Sequence, residues 1–323
     1  MTNCQAKITK IRPRVWFISE AFVDEFPYAT GNITVVATKG GGYALIDCGF
    51  TEPFTESVWK ALESEGFDPA KLELVALTHS HLDHFEAINL LRRKAPRAKL
   101  AAHRLARNDL ANQVGWARQF PCVLPGDRER LDTVISRCAK APPATLDVLL
   151  EEGDLLELGD YRLRVLHTLG HEVDNVCYYD PDKKFLVSGS FLRAPGAAWT
   201  YFPHSGGVAA ERASLKRLSG IDFDLAVPNH GEPVVGRDAI GAAFTDAFAT
   251  LGRREAAIVK GLADGRRTIE EIEPIYPGFP GLFPWYDHLM LYAHLTDLVA
   301  RGLVERSGPV YKPTGRESGG EPS

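Results

Sequence analysis

Residues 74–91 read LVALTHSHLDHFEAINLL, and His79, His81, Asp83 and His84 fall within six positions of a chain that has only ten histidines. The apolar LVALT run is strand-like, whereas Ile88, Leu90 and Leu91 recur at helical spacing, so the cluster occupies a strand-to-helix turn. In an extended backbone, side chains two apart project to the same side, which points His79 and His81 together just before Asp83 and His84 open the helix. Four ligand-type groups can therefore converge from one turn. Imidazoles combined with a carboxylate suit zinc or iron better than calcium or magnesium, which prefer oxygen shells. One loop rarely completes such a site. Two further histidines stand at strand ends beside glycine, where backbone can approach an ion closely: His171 in HTLGHEVDN and His230 in VPNHGEP.

The pattern around these loops is mixed. Strand-like runs at 15–19, 33–49 and 72–78 surround a helical segment at 52–67, and a second set of strands follows at 161–168, 175–180, 185–189 and 224–229. Between the two sets, Leu105 to Leu146 is rich in charge and proline with two amphipathic patches; it reads as an insertion over the site or as a plain surface excursion. Beyond Gly236 the pattern is helical at 242–265, 268–276 and 287–302, then hairpin-like at 303–313. Three helices and a hairpin suggest a winged helix. The expected division is a catalytic domain over 1–240, a winged-helix-like domain over 241–316 and a disordered tail over 317–323.

Composition narrows the partners. The chain of 323 residues is 45% hydrophobic, enough for a real core, and its formal net charge of -5 gives no global basic field for nucleic acid. Five scattered cysteines without a CxxC pair read as free thiols in a reducing compartment, and with no apolar leader or run of 18 apolar residues this leads to a cytoplasmic, non-membrane expectation. Residues 252–316 hold nine Lys/Arg against eight Asp/Glu, a poor footprint for nucleic acid, so packing, pocket walling or homodimer formation is the expected use of that segment.

The order LIDCG (Asp47), THSHLDH, HTLGH, FLVSGS and PNHG resembles the metallo-β-lactamase superfamily of hydrolases over roughly residues 15 to 236. The C-terminal segment is similar to the winged helix of a lactamase-β-like branch. The resemblance implies an α/β fold, an αββα sandwich of two facing sheets with helices outside. It also implies one metal on His79, His81 and His171 and a second on Asp83, His84 and His230. Asp47 would orient the histidine loop, and Asn32 would lie near the substrate pocket. Two departures stand out: Leu169 replaces the usual proline, and Ser190 replaces the aspartate that bridges both metals in the family. One subclass of true metallo-β-lactamases resembles this chain in lacking the bridge and in having APG shortly after, as at Ala194 to Gly196.

The implied activity is metal-dependent hydrolysis of a small carbonyl substrate, an ester, thioester, lactone or amide, by water activated at one or two zinc ions, with iron or manganese as alternatives. Asp83 is the expected catalytic group, anchoring the second metal and orienting the attacking water. An endoribonuclease is the runner-up, followed by a β-lactamase or a non-catalytic sensor. Among the other histidines, His167 and His103 read as packed or supporting residues, His294 as satisfying a local hydrogen bond, and His204 and His288 as surface residues. The aromatic sets at 198–204 and 281–288 are candidates to line an acyl pocket, with Tyr201 and His204 as substrate contacts.

Overall fold

The structure, a computed structural model, describes residues 6–19, 22–23, 26–197, 200–278 and 284–316. The tail at 317–323, and Ala198, Trp199 and 281–283 of the aromatic sets, lie outside the described residues.

Two mixed sheets carry the architecture. The seven-stranded sheet runs in the order Ile8–Arg12, Val15–Ile18, Ile33–Ala37, Tyr43–Ile46, Leu72–Ala76, Lys99–His103, Val148–Leu150. The six-stranded sheet runs Leu155–Leu158, Tyr161–His167, Val176–Asp180, Phe185–Gly189, Leu225–Pro228, Val234–Val235. Side chains alternate across each strand, and here both faces are covered. Val36, Ala44, Ile46 and Ala76 meet Val165, Val176, Tyr178 and Val187 between the sheets. Ile33, Val35, Tyr43, Leu45 and Val75 face outward against the helix Glu52–Ser64 and its neighbours. Burial on both faces is why these strands read as near-continuous apolar runs rather than as alternation. On the far side, Leu166, Cys177 and Leu186 pack against the helices Gly207–Ser219, Arg237–Ala263 and Pro284–Ala300. Helix, sheet, sheet and helix therefore stack in four layers, the αββα arrangement, with a helical C-terminal region.

Strand direction decides where the unusual residues gather. Tyr43–Ile46 and Leu72–Ala76 are parallel, as are Phe185–Gly189 and Leu225–Pro228, and Tyr161–His167 runs antiparallel to the strand that is itself antiparallel to Phe185–Gly189. The C-terminal ends of the parallel strands in each sheet carry Asp47, His79, His171, Ser190 and His230. The sheets are stitched at this same place: the Val176 amide donates to the Thr78 carbonyl at 2.8 Å, and the Tyr178 hydroxyl donates to the Leu77 carbonyl at 2.6 Å.

The segment between the two sets of strands folds into the helices Arg107–Ala111, Gln113–Ala117 and Asp127–Cys138. It packs over the histidine loop, with Gln113 Nε2 donating to the Ser80 carbonyl at 3.0 Å. C-terminal to the second sheet, the long helix Arg237–Ala263 contains position 240/241, where the sequence divides the chain; the short helix Ile269–Ile272, Pro284–Ala300 and the hairpin Val304–Ser307/Val310–Pro313 follow. Cys48, Cys122, Cys138 and Cys177 are free thiols. No helix among the described residues is long and apolar enough to cross a membrane.

Candidate metal centre

Two groups of ligand-type side chains meet at this edge, His79 with His81 and His171, and Asp83 with His84 and His230; within each group the ligand atoms lie within 4.8 Å of one another.

In the first group the outer nitrogens are already engaged. His79 Nδ1 lies 3.0 Å from the Thr78 hydroxyl oxygen, His171 Nδ1 lies 2.9 Å from the Thr200 carbonyl, and His81 Nε2 lies 2.7 Å from Glu172 Oε1. A carbonyl or carboxylate only accepts, so His171 carries its proton on Nδ1 and His81 on Nε2. The Thr78 hydroxyl donates to Asp47 Oδ2 at 2.8 Å, which makes it an acceptor toward His79 Nδ1. Every ring is thereby left one bare nitrogen: Nε2 of His79, Nε2 of His171 and Nδ1 of His81. The two bare Nε2 atoms face each other 3.1 Å apart. Two nitrogens on one tetrahedral zinc, each at about 2.0–2.1 Å, stand roughly 3.3 Å apart, so the donor set fits such an ion. Burial and the neighbouring imidazoles hold His79 well below the ordinary histidine range, and burial with His81 does the same for His171, so both stay neutral, the form that ligates.

The second group is organised around Asp83. Its Oδ2 lies 3.2 Å from both His84 Nε2 and His230 Nε2. Burial would raise the Asp83 carboxyl, but His84 and His230 outweigh it and keep the group well below the usual carboxylate range. Burial would likewise lower His84, yet Asp83 and Asp47 raise it to about 10. An imidazole held between two anions marks a place built for positive charge. Gly31 closes the back of this site: a Cβ there would stand 2.4 Å from His84 Nδ1, so only glycine lets the chain pass.

Asp47 joins the two groups. It sits at φ +60, a left-handed conformation costly for a non-glycine residue and tolerated where surrounding bonds over-determine it. Its Oδ1 accepts from the Thr78 amide at 2.8 Å, its Oδ2 accepts from the Thr78 hydroxyl, and the same Oδ2 lies 3.4 Å from His84 Nδ1. One carboxylate thus supports the first histidine of one group and the imidazole of the other.

The metallo-beta-lactamase superfamily domain matches residues 29–230, more than half of the chain. The chain belongs to the metallo-β-lactamase superfamily. It is 34% identical over 142 residues to the acyl-coenzyme A thioesterase MBLAC2 of Homo sapiens, covering 43% of this chain and 48% of that protein. The match thus spans about half the length of that relative. It is 26% identical over 217 residues to a hydroxyacylglutathione hydrolase of Cereibacter sphaeroides, covering 67% of this chain and 69% of the relative. A metallo-beta-lactamase family protein of Thermus thermophilus shares the fold with a TM-score of 0.72 at 21% identity, over 94% of this chain and 100% of that one.

Within this metallo-β-lactamase frame the other candidate residues lie at varied depths. Ser190, at the family's bridging position, is fully buried, and Arg193 Nη2 lies 3.5 Å from its hydroxyl. Asn32 is buried, and its Nδ2 donates to the carbonyls of Pro228 at 2.9 Å and Gly231 at 2.8 Å. Its amide clamps the loop that carries His230. Tyr201 is also fully buried, with its hydroxyl 2.6 Å from His294 Nε2 and 3.0 Å from Arg254 Nη1, so it belongs to the core beneath the C-terminal helices and not to a substrate surface. The His294 expectation of a local hydrogen bond is met by a partner 93 residues away. His288 is not a surface residue: its Nδ1 pairs with the buried Asp127 at 2.6 Å. His204 is half-buried and bonds Glu172 Oε2 at 2.9 Å. His167 Nε2 meets the Val173 carbonyl at 2.8 Å and its ring stacks on His103 at 4.0 Å, away from both ligand groups.

Thr78, Asn229, Glu172 and Trp116 escaped the sequence reading. Asn229 Nδ2 donates to the Thr78 hydroxyl at 2.7 Å, and Trp116 Nε1 donates to Glu172 Oε1 at 3.1 Å. Thr78 and Asn229 directly precede ligands and Glu172 directly follows one, a positional signal; nothing in the sequence ties Trp116 to the site. The aromatics Trp116, Phe120, Phe202 and Trp285 are buried and in edge contact with one another or with His81, which makes them a packed wall beside that ligand.

Proposed function

We propose that the chain is a metal-dependent hydrolase of thioesters or closely related acyl esters, holding a zinc ion on His79, His81 and His171 and a second, weaker ion on Asp83, His84 and His230. The observation that carries this reading is the pair of bare Nε2 atoms 3.1 Å apart in a buried pocket whose outer nitrogens are all pinned. Support for the acyl–sulfur substrate comes from the relatives, an acyl-coenzyme A thioesterase and a hydroxyacylglutathione hydrolase, whose named substrates share that bond.

A bound transition-metal ion supplies Lewis acidity and brings the pKa of water toward neutrality. The side chains do the rest. Asp83 stays anionic, and its carboxylate is partly open to the cleft, so it can accept a hydrogen bond from the attacking water and fix its orientation. Asp47 and Thr78 hold the histidine loop rigid during the reaction. The packed wall of Trp116, Phe120 and Phe202 keeps bulk water from the His81 side, and Tyr286 of the C-terminal helix packs on Phe202 at 5.5 Å. We read that C-terminal segment as a winged-helix-like wall of the site and not as a nucleic-acid binder, since its charges nearly balance. A small-molecule substrate in the cytoplasm completes the reading.

The test is a single-turnover panel of acyl-coenzyme A and acyl-glutathione thioesters, aryl esters, lactones and labelled single-stranded RNA, each with and without chelator. Chelator-sensitive turnover of thioesters above the other classes is expected. Cleavage of RNA alone would replace this proposal.

A further inference from the structure

Glu172 follows a ligand directly and is only 1% exposed. A carboxylate in such a position costs several kcal/mol unless its oxygens are met by donors. Three donors meet it, each from a different segment: His81 Nε2 at 2.7 Å from the histidine loop, Trp116 Nε1 at 3.1 Å from the helical insertion, and His204 Nε2 at 2.9 Å from the loop after Tyr201. The indole N–H of Trp116 can only donate, and both carboxylate oxygens are met by a ring nitrogen, so Glu172 is placed as an acceptor.

We propose that Glu172 is a positioning residue that fixes His81 with its proton on Nε2 and its bare Nδ1 toward the metal, and that Trp116 completes this clamp, making the insertion a working part of the metal centre. An ionised carboxylate cannot donate, so each imidazole that bonds it must bring the hydrogen on Nε2. For His81 that choice leaves Nδ1 as the ligand atom. For His204 it leaves Nδ1 as an acceptor, and that nitrogen is buried without a hydrogen-bond partner among the described residues. The His204 ring cannot turn away easily, since Phe202 stacks on it at 5.8 Å and an interplanar angle of 7°, while Phe120 meets its face edge-on at 4.8 Å. Trp116 donates to the oxygen that His81 uses, and its ring packs on His81 at 5.0 Å, so the insertion holds both the carboxylate and the imidazole. Such supporting carboxylates orient ligating histidines, and their removal typically costs about 10–100-fold in metal affinity.

The affinity half of the test rests on the metallohydrolase reading above; the tautomer half does not, because it is read on metal-free protein. Nitrogen-15 correlation spectra of the apo chain with labelled histidine should show His81 and His204 both protonated on Nε2. In Glu172→Ala, His81 should become a mixture of tautomers, and chelator competition with cobalt or zinc should show the three-histidine site weakened by about 10–100-fold. Glu172→Gln keeps one acceptor oxygen but turns an NH2 toward the other imidazole, so one ring should keep its tautomer while the other inverts. Trp116→Phe keeps the ring and removes the donor, and should weaken cobalt binding several-fold and shift its visible absorption. Should Glu172→Ala not fold, the Gln and Trp116→Phe variants carry the test. An unchanged His81 tautomer and unchanged cobalt affinity in folded Glu172→Ala, or a folded Glu172→Gln in which neither ring inverts, would overturn the clamp; unchanged cobalt binding in Trp116→Phe would remove the insertion from it.

Discussion

His79 Nε2 and His171 Nε2 face each other at 3.1 Å while the other nitrogen of each ring is held, His79 Nδ1 by Thr78 and His171 Nδ1 by Thr200. Two bare lone pairs held at that distance repel unless a cation or a proton lies between them, and burial disfavours the proton. The pocket is thus poised for a metal before one arrives.

His79→Ala and His171→Ala should each abolish hydrolysis and remove tight metal, whereas His167→Ala, which loses a bond to the Val173 carbonyl and a stacked contact with His103, should retain most activity. Paired measurements of turnover and metal content by elemental analysis check this; equal loss in all three would mean that the ligand set is wrong.

Ser190 offers a neutral hydroxyl where a carboxylate could bridge two ions, so calorimetric titration of the apo protein should resolve two unequal steps. Ser190→Asp should tighten the weaker step. Arg193, 3.5 Å from the Ser190 hydroxyl, will pair in part with the new carboxylate and limit the gain, so Ser190→Asp combined with Arg193→Gln should tighten it further. No change in the weaker step in either variant would show that another group compensates for the missing bridge.

Asn32→Ala removes the donor to Pro228 and Gly231 and should loosen the loop that carries His230. The expectation is a weaker second metal step, a fall in kcat and an unchanged KM, with a stability loss of about 1–3 kcal/mol for the buried Pro228 carbonyl that loses this donor. A raised KM at full metal content would instead make Asn32 a substrate contact.

His294 is fully buried, and burial together with Arg254, Arg212 and Arg301 lowers it from 6.5 to about 3. Below about pH 6.5 the unfolded chain takes up a proton that the folded chain refuses, so this residue lowers stability progressively as pH falls from about 6.5 toward 3, by on the order of several kcal/mol. His294→Gln does not titrate there. Urea midpoints from pH 7 to 4 should fall less steeply in the variant, and parallel slopes would show that His294 is protonated in the folded state.

How far the sequence spoke depended on whether a residue acts locally or through a distant partner. The strand-to-helix turn at 79–84 and the glycine-flanked His171 and His230 carry their own context, and the αββα layering follows from two sets of apolar runs that need cover on both faces. Tyr201 reads as a pocket residue because an aromatic two positions before a proline says nothing of what lies above it; Arg254, 53 positions away, places it in the core. His288 looked exposed for the same reason, its partner Asp127 lying 161 positions earlier. Glu172 could have been flagged, since a charge next to a ligand in a strand-end loop seldom stays unpaired, but its three donors come from segments that only the tertiary structure brings together.

The helix Arg237–Ala263 begins against the second sheet, where Ile240 and Phe244 join Leu186 and Phe223, and ends beneath the hairpin, where Ile258 and Leu262 join Val304 and Tyr311 in the same apolar cluster. A cut at 240 would therefore divide one apolar cluster. It would uncover the part of the second sheet's outer face that the helices Arg237–Ala263 and Pro284–Ala300 cover, leaving only Gly207–Ser219 on it, and the intact chain should melt in one cooperative step with its far end reporting on the fate of its metal ligands.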